Sequence, residues 1–156
     1  MKTETKNEVI IPRDLALFRL DAQGYWRNDE GRFRNKKIID YFHHAISKDD
    51  DGYFVSQDKG GVIEKVYFPY DDTALFVFDI IFDPEIILTL NTGQTIPLDP
   101  DQLFIQNDNL YVQTPGDERI KFSERILVKI SDKLEESEAQ LQIRIKDKLH
   151  PIRELA

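Results

Sequence analysis

Carboxylates fill the one segment of the chain whose spacing suggests a metal site. In SKDDDGYFVSQD (residues 47–58), three consecutive aspartates precede a glycine. An EF-hand calcium loop has oxygen ligands at positions 1, 3 and 5, glycine at position 6 and a bidentate glutamate at position 12. When the glycine is aligned with position 6, the candidate ligands include Asp49, Asp51 and Asp58. The first ligand would be a serine, however, and the last is shorter than glutamate, so a polar turn between a helix and a strand is the simpler interpretation.

A second acidic segment has residues that could carry out acid–base catalysis. Asp71 and Asp72 follow Tyr70, and two neighbouring carboxylates can donate and accept protons in hydrolysis or group transfer. A charged cluster that follows a proline is also typical of a solvent-exposed turn. We assign these three residues to a candidate ligand-binding set and assign no residue to catalysis.

Four further residues complete this candidate ligand-binding set. Glu64 and Lys65 are adjacent in a predicted strand, so their side chains point to opposite faces. A charge that points inward needs a partner, and Arg119 on a later predicted strand is one such partner. Trp26 is the single tryptophan and could stack on a ligand, although packing in a hairpin or core is the simpler interpretation.

Several common kinds of site are missing from the sequence. His43 and His44 are adjacent and lie on different faces of a helix, whereas two metal-ligating histidines on one face are spaced i, i+4. There is no G-x-S-x-G nucleophile motif, no Walker loop and no G-x-G-x-x-G fingerprint. The absence of cysteine excludes disulfides, thiol nucleophiles and zinc–cysteine sites. We therefore expect no cofactor.

Composition and charge narrow the class of protein further. The chain has 156 residues, of which 40% are hydrophobic and 32% charged, as in a folded domain or two small halves. The net charge of −8 repels phosphate backbones, so nucleic acid is not an expected partner. The longest apolar run, ALFVFDIIF (residues 74–82), is interrupted by Asp79 and is too short for a membrane helix. The charged first residues lack the apolar segment of a secretion signal, so we expect a cytoplasmic protein.

Two segments have the apolar spacing of an amphipathic helix. Each begins after a residue that can cap a helix, Asn35 or Ser123, and the first is expected to end near Lys48. The apolar positions are spaced i, i+1, i+4 and i+8 in both segments. They are Ile38, Ile39, Phe42 and Ile46 in the first helix and Ile126, Leu127, Ile130 and Leu134 in the second.

Strands surround both predicted helices, and the pattern repeats at an offset of 88 residues. The sequence therefore predicts an α+β fold of two similar hairpin–strand–helix–strand halves, with antiparallel sheets and one amphipathic helix in each half. Residues 1–13 are expected to be a polar tail, residues 14–98 the first half and residues 99–156 the second. The predicted strands are YFVS (53–56), VIEKVYF (62–68), ALFVFDIIF (74–82), RIKF (119–122) and LQIRIKD (141–147), with hairpins in residues 86–98 and 103–113.

The order of several short motifs resembles a known bacterial family. FRLDAQGYW (residues 18–26), DDGYF (50–54), IEKV (63–66) and the acidic turn at Asp71 and Asp72 are similar to domain-of-unknown-function family 1285, over residues 17–135. The acidic turn departs from the family pattern because it lacks a proline. The element order is also similar to family 4505, which has mitochondrial members. The resemblance to family 1285 implies a duplicated α+β fold and a role in ligand binding or signal transduction.

Together these observations favour a non-catalytic module that binds a small molecule or a protein partner in regulation or signal transduction. One alternative is a hydrolase or transferase with a carboxylate site formed by Asp71, Asp72 and Glu64. Another is a protein-interaction module, for example a homodimer, that pairs through an exposed edge of LQIRIKD (residues 141–147).

Overall fold

The computed structural model describes residues 7–156. Residues 1–6, which belong to the predicted polar tail, lie outside this range. The chain divides into two compact units, one that ends at Ala74 and one formed by Leu75–Ala156. Within the described residues, no helix is long and apolar enough to cross a membrane.

The described residues of the first unit, 7–74, contain one α-helix, α1, and two sheets. Strands β2, β3 and β4 form a small antiparallel meander, and a second sheet has the order β1-β7-β6-β5. A single 3-10 turn, Arg13–Leu15, follows β1. The elements are β1 (Asn7–Ile11), β2 (Arg19–Leu20), β3 (Trp26–Asn28), β4 (Gly31–Arg32), α1 (Lys36–His44), β5 (Ile46–Asp49), β6 (Gly52–Lys59) and β7 (Val62–Tyr67).

The second unit contains a seven-stranded sheet of order β10-β9-β8-β13-β12-β11-β17 and a three-stranded sheet of order β14-β15-β16. Short 3-10 turns lie at Pro100–Gln102 and Ser131–Lys133. The elements are β8 (Leu75–Ile81), β9 (Ile87–Leu90), β10 (Thr95–Pro97), β11 (Leu103–Gln106), β12 (Asn109–Gln113), β13 (Arg119–Phe122), α2 (Glu124–Ile130), β14 (Leu134–Ser137), β15 (Gln140–Ile145), β16 (Lys148–Pro151) and β17 (Arg153–Glu154).

The predicted α+β class is confirmed, but the sheets are mixed and not purely antiparallel. Strand β1 runs parallel to β7, β8 runs parallel to β13, and β11 runs parallel to β17. Parallel neighbours require a long connection, and each of these pairs is joined through several intervening elements. Hairpin signals in a sequence reveal only the antiparallel neighbours that a short turn connects, so these parallel pairs were not predicted.

The unit boundary differs from the predicted one, which lies between residues 98 and 99. Strand β8 is hydrogen-bonded to β9 on one side and β13 on the other, so ALFVFDIIF (residues 74–82) belongs almost entirely to the second unit. The described part of the predicted tail also differs, because Asn7–Ile11 forms β1. The apolar residues of NEVII are compatible with a strand in spite of the surrounding charges.

Both helices end earlier than the apolar spacing predicts. Helix α1 ends at His44, and Ile46 starts strand β5 opposite Val55. Leu134 likewise starts strand β14 opposite Ile143. In both units the residue at i+8 is apolar because it belongs to the following strand. A helical and a strand interpretation of that single position cannot be distinguished by periodicity.

The segment LQIRIKD (residues 141–147) is not an exposed edge. Its residues up to Ile145 form β15, which is the middle strand of its sheet and is paired with β14 and β16. Ile143 lies opposite Leu134 on one side and His150 on the other, and its side chain is fully buried. The prediction of strand pairing with another chain through this edge is therefore wrong.

Replacing Ile143 with alanine should destabilise the protein by about 2–5 kcal/mol, because the substitution leaves a cavity at a fully buried position. Replacing the neighbouring Gln142, which points to the opposite face of the strand, should change the free energy of unfolding by less than about 0.5 kcal/mol. Urea titrations monitored by circular dichroism would measure both changes. Equal effects of the two substitutions would contradict the central position of β15.

Candidate functional site

An aromatic cluster in the first unit fixes the position of helix α1. The ring of Trp26, on β3, lies 5.4 Å from Phe42 of α1 and 4.9 Å from Phe68 between ring centroids. Phe18 lies 4.9 Å from Phe42 and 5.7 Å from Trp26. Edge-to-face pairs at these distances stabilise the cluster beyond the burial of their area. Trp26 therefore acts as core packing that joins the meander to the helix.

A buried hydrogen bond between Trp26 and His43 also fixes the orientation of the indole ring against α1. The Trp26 indole Nε1 donates to Nδ1 of His43, at 3.2 Å, and His43 is only 3% exposed. Burial lowers the pKa of His43 to about 4, and this effect exceeds the opposing influence of Asp40. The imidazole is therefore neutral at physiological pH, as an acceptor at Nδ1 must be.

Asp21 holds the turn between β2 and β3 in place. Its buried carboxylate accepts hydrogen bonds from the backbone N–H groups of Gln23 and Tyr25, both at 2.9 Å, and from Nε of Arg27 at 2.6 Å. Burial raises the pKa of Asp21, but the hydrogen bonds from Tyr25, Arg27 and Gln23 together outweigh burial and lower it. Asp21 therefore neutralises the charge of Arg27 within the turn.

The most voluminous of the described pockets lies beside α1, with a volume of about 610 Å³. Phe33, Ile38 and Phe42 provide an apolar wall, and Phe42 connects this wall to the aromatic cluster. Phe33 and Phe42 pack edge to face at 5.1 Å. The volume falls in the range of small-molecule sites. The polar residues that line the pocket are Asn28, Glu30, Arg32, Arg34 and Asn35.

Positive charge is concentrated where the pocket meets the start of α1. Arg32 lies over the ring of Tyr25, with Cζ 4.0 Å from the centroid. Among the described residues, Arg32, Arg34 and Lys37 form no ion pair with a carboxylate, whereas Lys36 pairs with Asp40 at 2.7 Å. The first turn of α1 contains no acidic residue. Arg32 and Arg34 line the pocket, and Lys37 lies in the first turn of α1; we call these three residues the cationic rim.

Asn35 caps the helix at the same place. Its side chain accepts a hydrogen bond from the backbone N–H of Ile38 at 3.2 Å, as the capping prediction requires. Ile38 itself is 48% exposed on the pocket wall. Capping, apolar wall and cationic rim thus come from one continuous segment, residues 32–42.

The predicted site residues do not gather in this pocket. Lys65 binds Asp49, with Nζ 2.5 Å from Oδ2, and the Tyr67 hydroxyl donates to the same oxygen at 2.6 Å. Nζ of Lys65 also lies 4.2 Å from the ring centroid of Phe54. The contacts of Asp49 with Lys65 and Tyr67 therefore connect β5 to β7 across the intervening strand β6.

The ion pair changes the titration of its members. The hydrogen bonds from Lys65 and Tyr67 lower the pKa of Asp49 to about 2, and the bond to Asp49 raises the pKa of Lys65. Because the folded-state pKa of Asp49 is depressed, its stabilising contribution is present above pH 3.8 and is lost as the pH falls through about 2.

The three carboxylates considered for calcium do not converge. Strand β6 runs from Gly52 to Lys59, so Asp51 and Asp58 lie at opposite ends of an extended segment, about 20 Å apart at roughly 3.3 Å per residue. Asp58 accepts a hydrogen bond from the backbone of Gly61 in the next turn, at 3.1 Å. Within residues 7–156, no group of three or more histidine and carboxylate side chains has metal-binding geometry.

The remaining predicted residues take separate positions. Glu64 pairs with Lys59 at 3.4 Å, and Asp71 pairs with Arg19 at 2.6 Å. Asp72 is half-buried. The other two residues pack against aromatic rings: Tyr70 lies 5.8 Å from Tyr53, and Arg119, in the second unit, lies with Cζ 4.1 Å from the centroid of Tyr111.

Sequence reasoning missed the cationic rim and the apolar wall, although a signal was present. RFRNKK (residues 32–37) contains four of the 21 basic residues of an acidic chain, and it surrounds the predicted cap Asn35. This local excess of positive charge is the signal in the sequence that indicates the rim.

Two solved structures have a fold similar to that of this chain. A DUF1285 family protein from Silicibacter pomeroyi DSS-3 matches with a TM-score of 0.62 and 13% identity, over 94% of this chain and 83% of that one. The fold resembles that of DUF1285 proteins. A DUF1285 family protein from Shewanella baltica OS155 matches with a TM-score of 0.51 and 18% identity, over 74% of this chain and 91% of that one.

The predicted resemblance to family 1285 is thereby confirmed at the level of the fold. No protein-family profile matches the sequence, and no curated protein matches it. The similarity of element order to family 4505 stays a prediction.

The pH dependence of stability should report on His43. Between pH 6.5 and about 4, the unfolded chain binds a proton at His43 that the native chain does not, so stability decreases as the pH falls through this window. The loss attributable to this residue should be on the order of 3 kcal/mol. A His43→Gln variant should lose less stability than the parent over the same window in urea titrations. His150→Gln is the matched control, and a parental slope retained by His43→Gln would contradict the assignment.

Proposed function

We propose that the protein is a cytoplasmic, non-catalytic ligand-binding module with a regulatory role, and that the pocket beside α1 holds a small molecule. The single observation that carries this proposal is the combination of a volume of about 610 Å³ with an exposed apolar wall and a cationic rim that no carboxylate of residues 7–156 neutralises. Apolar pockets with a few convergent polar groups are typical of ligand sites. The fold likeness to DUF1285 proteins is compatible with this role and does not specify it.

The arrangement of the carboxylates disfavours the hydrolase or transferase alternative. A paired-carboxylate mechanism needs two carboxyl groups that act on the same substrate. Asp71 and Glu64 instead pair with different cations, Arg19 and Lys59.

Of the candidate ligand-binding residues predicted from the sequence, one packs against the pocket wall and the other six lie elsewhere. Trp26 supports the pocket indirectly, because its ring packs on Phe42 of the pocket wall at 5.4 Å. A contribution of the other members to binding stays a prediction. These residues are Glu64, Lys65, Tyr70, Asp71, Asp72 and Arg119. Binding of a protein partner, including a second copy of the chain, likewise stays a prediction. Strand β15 cannot provide the edge for such pairing, because both of its sides are already paired.

We further propose that the two units arose by duplication. Strand β4, helix α1, and strands β5 and β6 begin at residues 31, 36, 46 and 52; β13, α2, β14 and β15 begin 88 residues later in each case. In both units a three-stranded antiparallel meander precedes the helix and three antiparallel strands follow it. Strands β8, β9 and β10 are then additions of the second unit.

Native mass spectrometry can test the binding function before the ligand is identified. The purified full chain is incubated with a small-molecule extract of bacterial cells, exchanged into volatile buffer and weighed. We expect a non-covalent adduct on the parent protein and a much smaller adduct fraction on Ile38→Trp, whose larger side chain occupies part of the pocket and covers its apolar wall.

Val128→Trp is the matched control, because Val128 is 72% exposed on the other helix and lines no described pocket. This variant should retain the adduct. Absence of any adduct on the parent, or an equal adduct on Ile38→Trp, would contradict binding in this pocket. Conversion of the bound compound to a new mass would favour an enzyme.

A further inference from the structure

We propose that the ligand of this pocket is a small organic anion, with a carboxylate or phosphate group at the cationic rim and an aromatic or aliphatic body on the apolar wall. The proposal rests on the proposed ligand-binding function and adds the chemical class of the ligand. Three features of residues 32–42 support it.

The first feature is the uncompensated charge of the cationic rim. The chain carries 29 acidic and 21 basic residues, so a cation has many potential partners. Arg27 and Lys36, close by, are indeed neutralised by Asp21 and Asp40. Arg32, Arg34 and Lys37 are left without a carboxylate among the described residues, and two arginines can hold a carboxylate or phosphate through paired hydrogen bonds.

The second feature is the reversed charge at the start of α1. The N-terminal end of a helix carries partial positive charge and normally attracts acidic residues. Helix α2 follows this rule with Glu124 in its first turn, whereas α1 has Lys36 and Lys37 there. The first N–H groups of a helix also lack intrahelical acceptors, and Asn35 satisfies that of Ile38. A bound anion would neutralise this end and accept hydrogen bonds from it.

The third feature excludes a bare inorganic anion as the preferred ligand. Ile38 is 48% exposed on the pocket wall, next to Phe33 and the ring of Phe42. Covering Ile38 and the partly exposed Phe33 with an apolar group removes their surface from water, which inorganic phosphate cannot do. Glu30, the single carboxylate among the lining residues, disfavours a ligand with several separate anionic groups. One anionic group on an apolar body fits both constraints.

Isothermal titration calorimetry with five probes tests this class directly. Phenyl phosphate and benzoate combine both chemical features, inorganic phosphate and acetate have the charge without the ring, and benzyl alcohol has the ring without the charge. We expect phenyl phosphate or benzoate to bind at least about tenfold more tightly than each probe that lacks one feature. Binding should also weaken as the salt concentration rises, because the rim is exposed.

Variants of the rim identify the groups that hold the anion. Arg32→Gln and Arg34→Gln should each weaken phenyl phosphate about tenfold and leave benzyl alcohol unchanged, because each removes a charge-assisted hydrogen bond. Lys148→Gln removes the same charge from an exposed strand position of the second unit and should leave the affinity unchanged. All three positions are exposed, so folding should be preserved.

The outcomes separate this proposal from the binding function on which it rests. If benzyl alcohol binds as tightly as phenyl phosphate and Ile38→Trp abolishes both, the pocket binds ligands but the anionic class is wrong. If inorganic phosphate binds as tightly as phenyl phosphate, the assignment of the apolar body is wrong. If Ile38→Trp changes the binding of none of the probes, the pocket itself is wrong and both proposals fail.

Discussion

The contact between Trp26 and helix α1 is the interaction on which the first unit depends. The indole ring packs on Phe42 and Phe68, and its N–H donates to buried His43. Two successive residues of the helix are thereby held by one side chain of β3. Because ring packing sets the distance and the hydrogen bond sets the orientation, the last turn of the helix is fixed against the meander. The pocket between them exists as a consequence of that arrangement.

The same helix has different surroundings at its two ends. Phe42 and His43, in the last turn, are buried with the aromatic cluster, whereas Ile38, in the first turn, is about half exposed. The buried last turn anchors the helix, and the Asn35 cap is the side-chain contact that stabilises its start. This explains how an arrangement that is electrostatically unfavourable, with lysines at the positive end of a helix, can persist in a folded protein. Binding of an anion would remove that cost, which is the reason we place function there.

How far the sequence could predict the structure depended on whether an interaction was local. The α+β class and the starts of both helices followed from caps and short-range periodicity, which need only neighbouring residues. The parallel pairing of β1 with β7 and the central position of β15 depend on distant partners, and no local pattern encodes them. The candidate site shows the same limit. Asp49 and Asp71 looked reactive by type, yet Lys65 and Arg19 neutralise them, while Arg34 has no carboxylate partner within residues 7–156.

The central claim is that an organic anion binds where the cationic rim meets the apolar wall. The most direct measurement is a titration of the isotope-labelled full chain with phenyl phosphate, followed residue by residue in ¹⁵N–¹H correlation spectra. The account predicts saturable shifts at the backbone amides of residues 32–38, with Lys36 and Lys37 among the largest because their N–H groups face the helix end. Shifts centred on the Lys65 ion pair or in the second unit, with residues 32–38 unmoved, would contradict it.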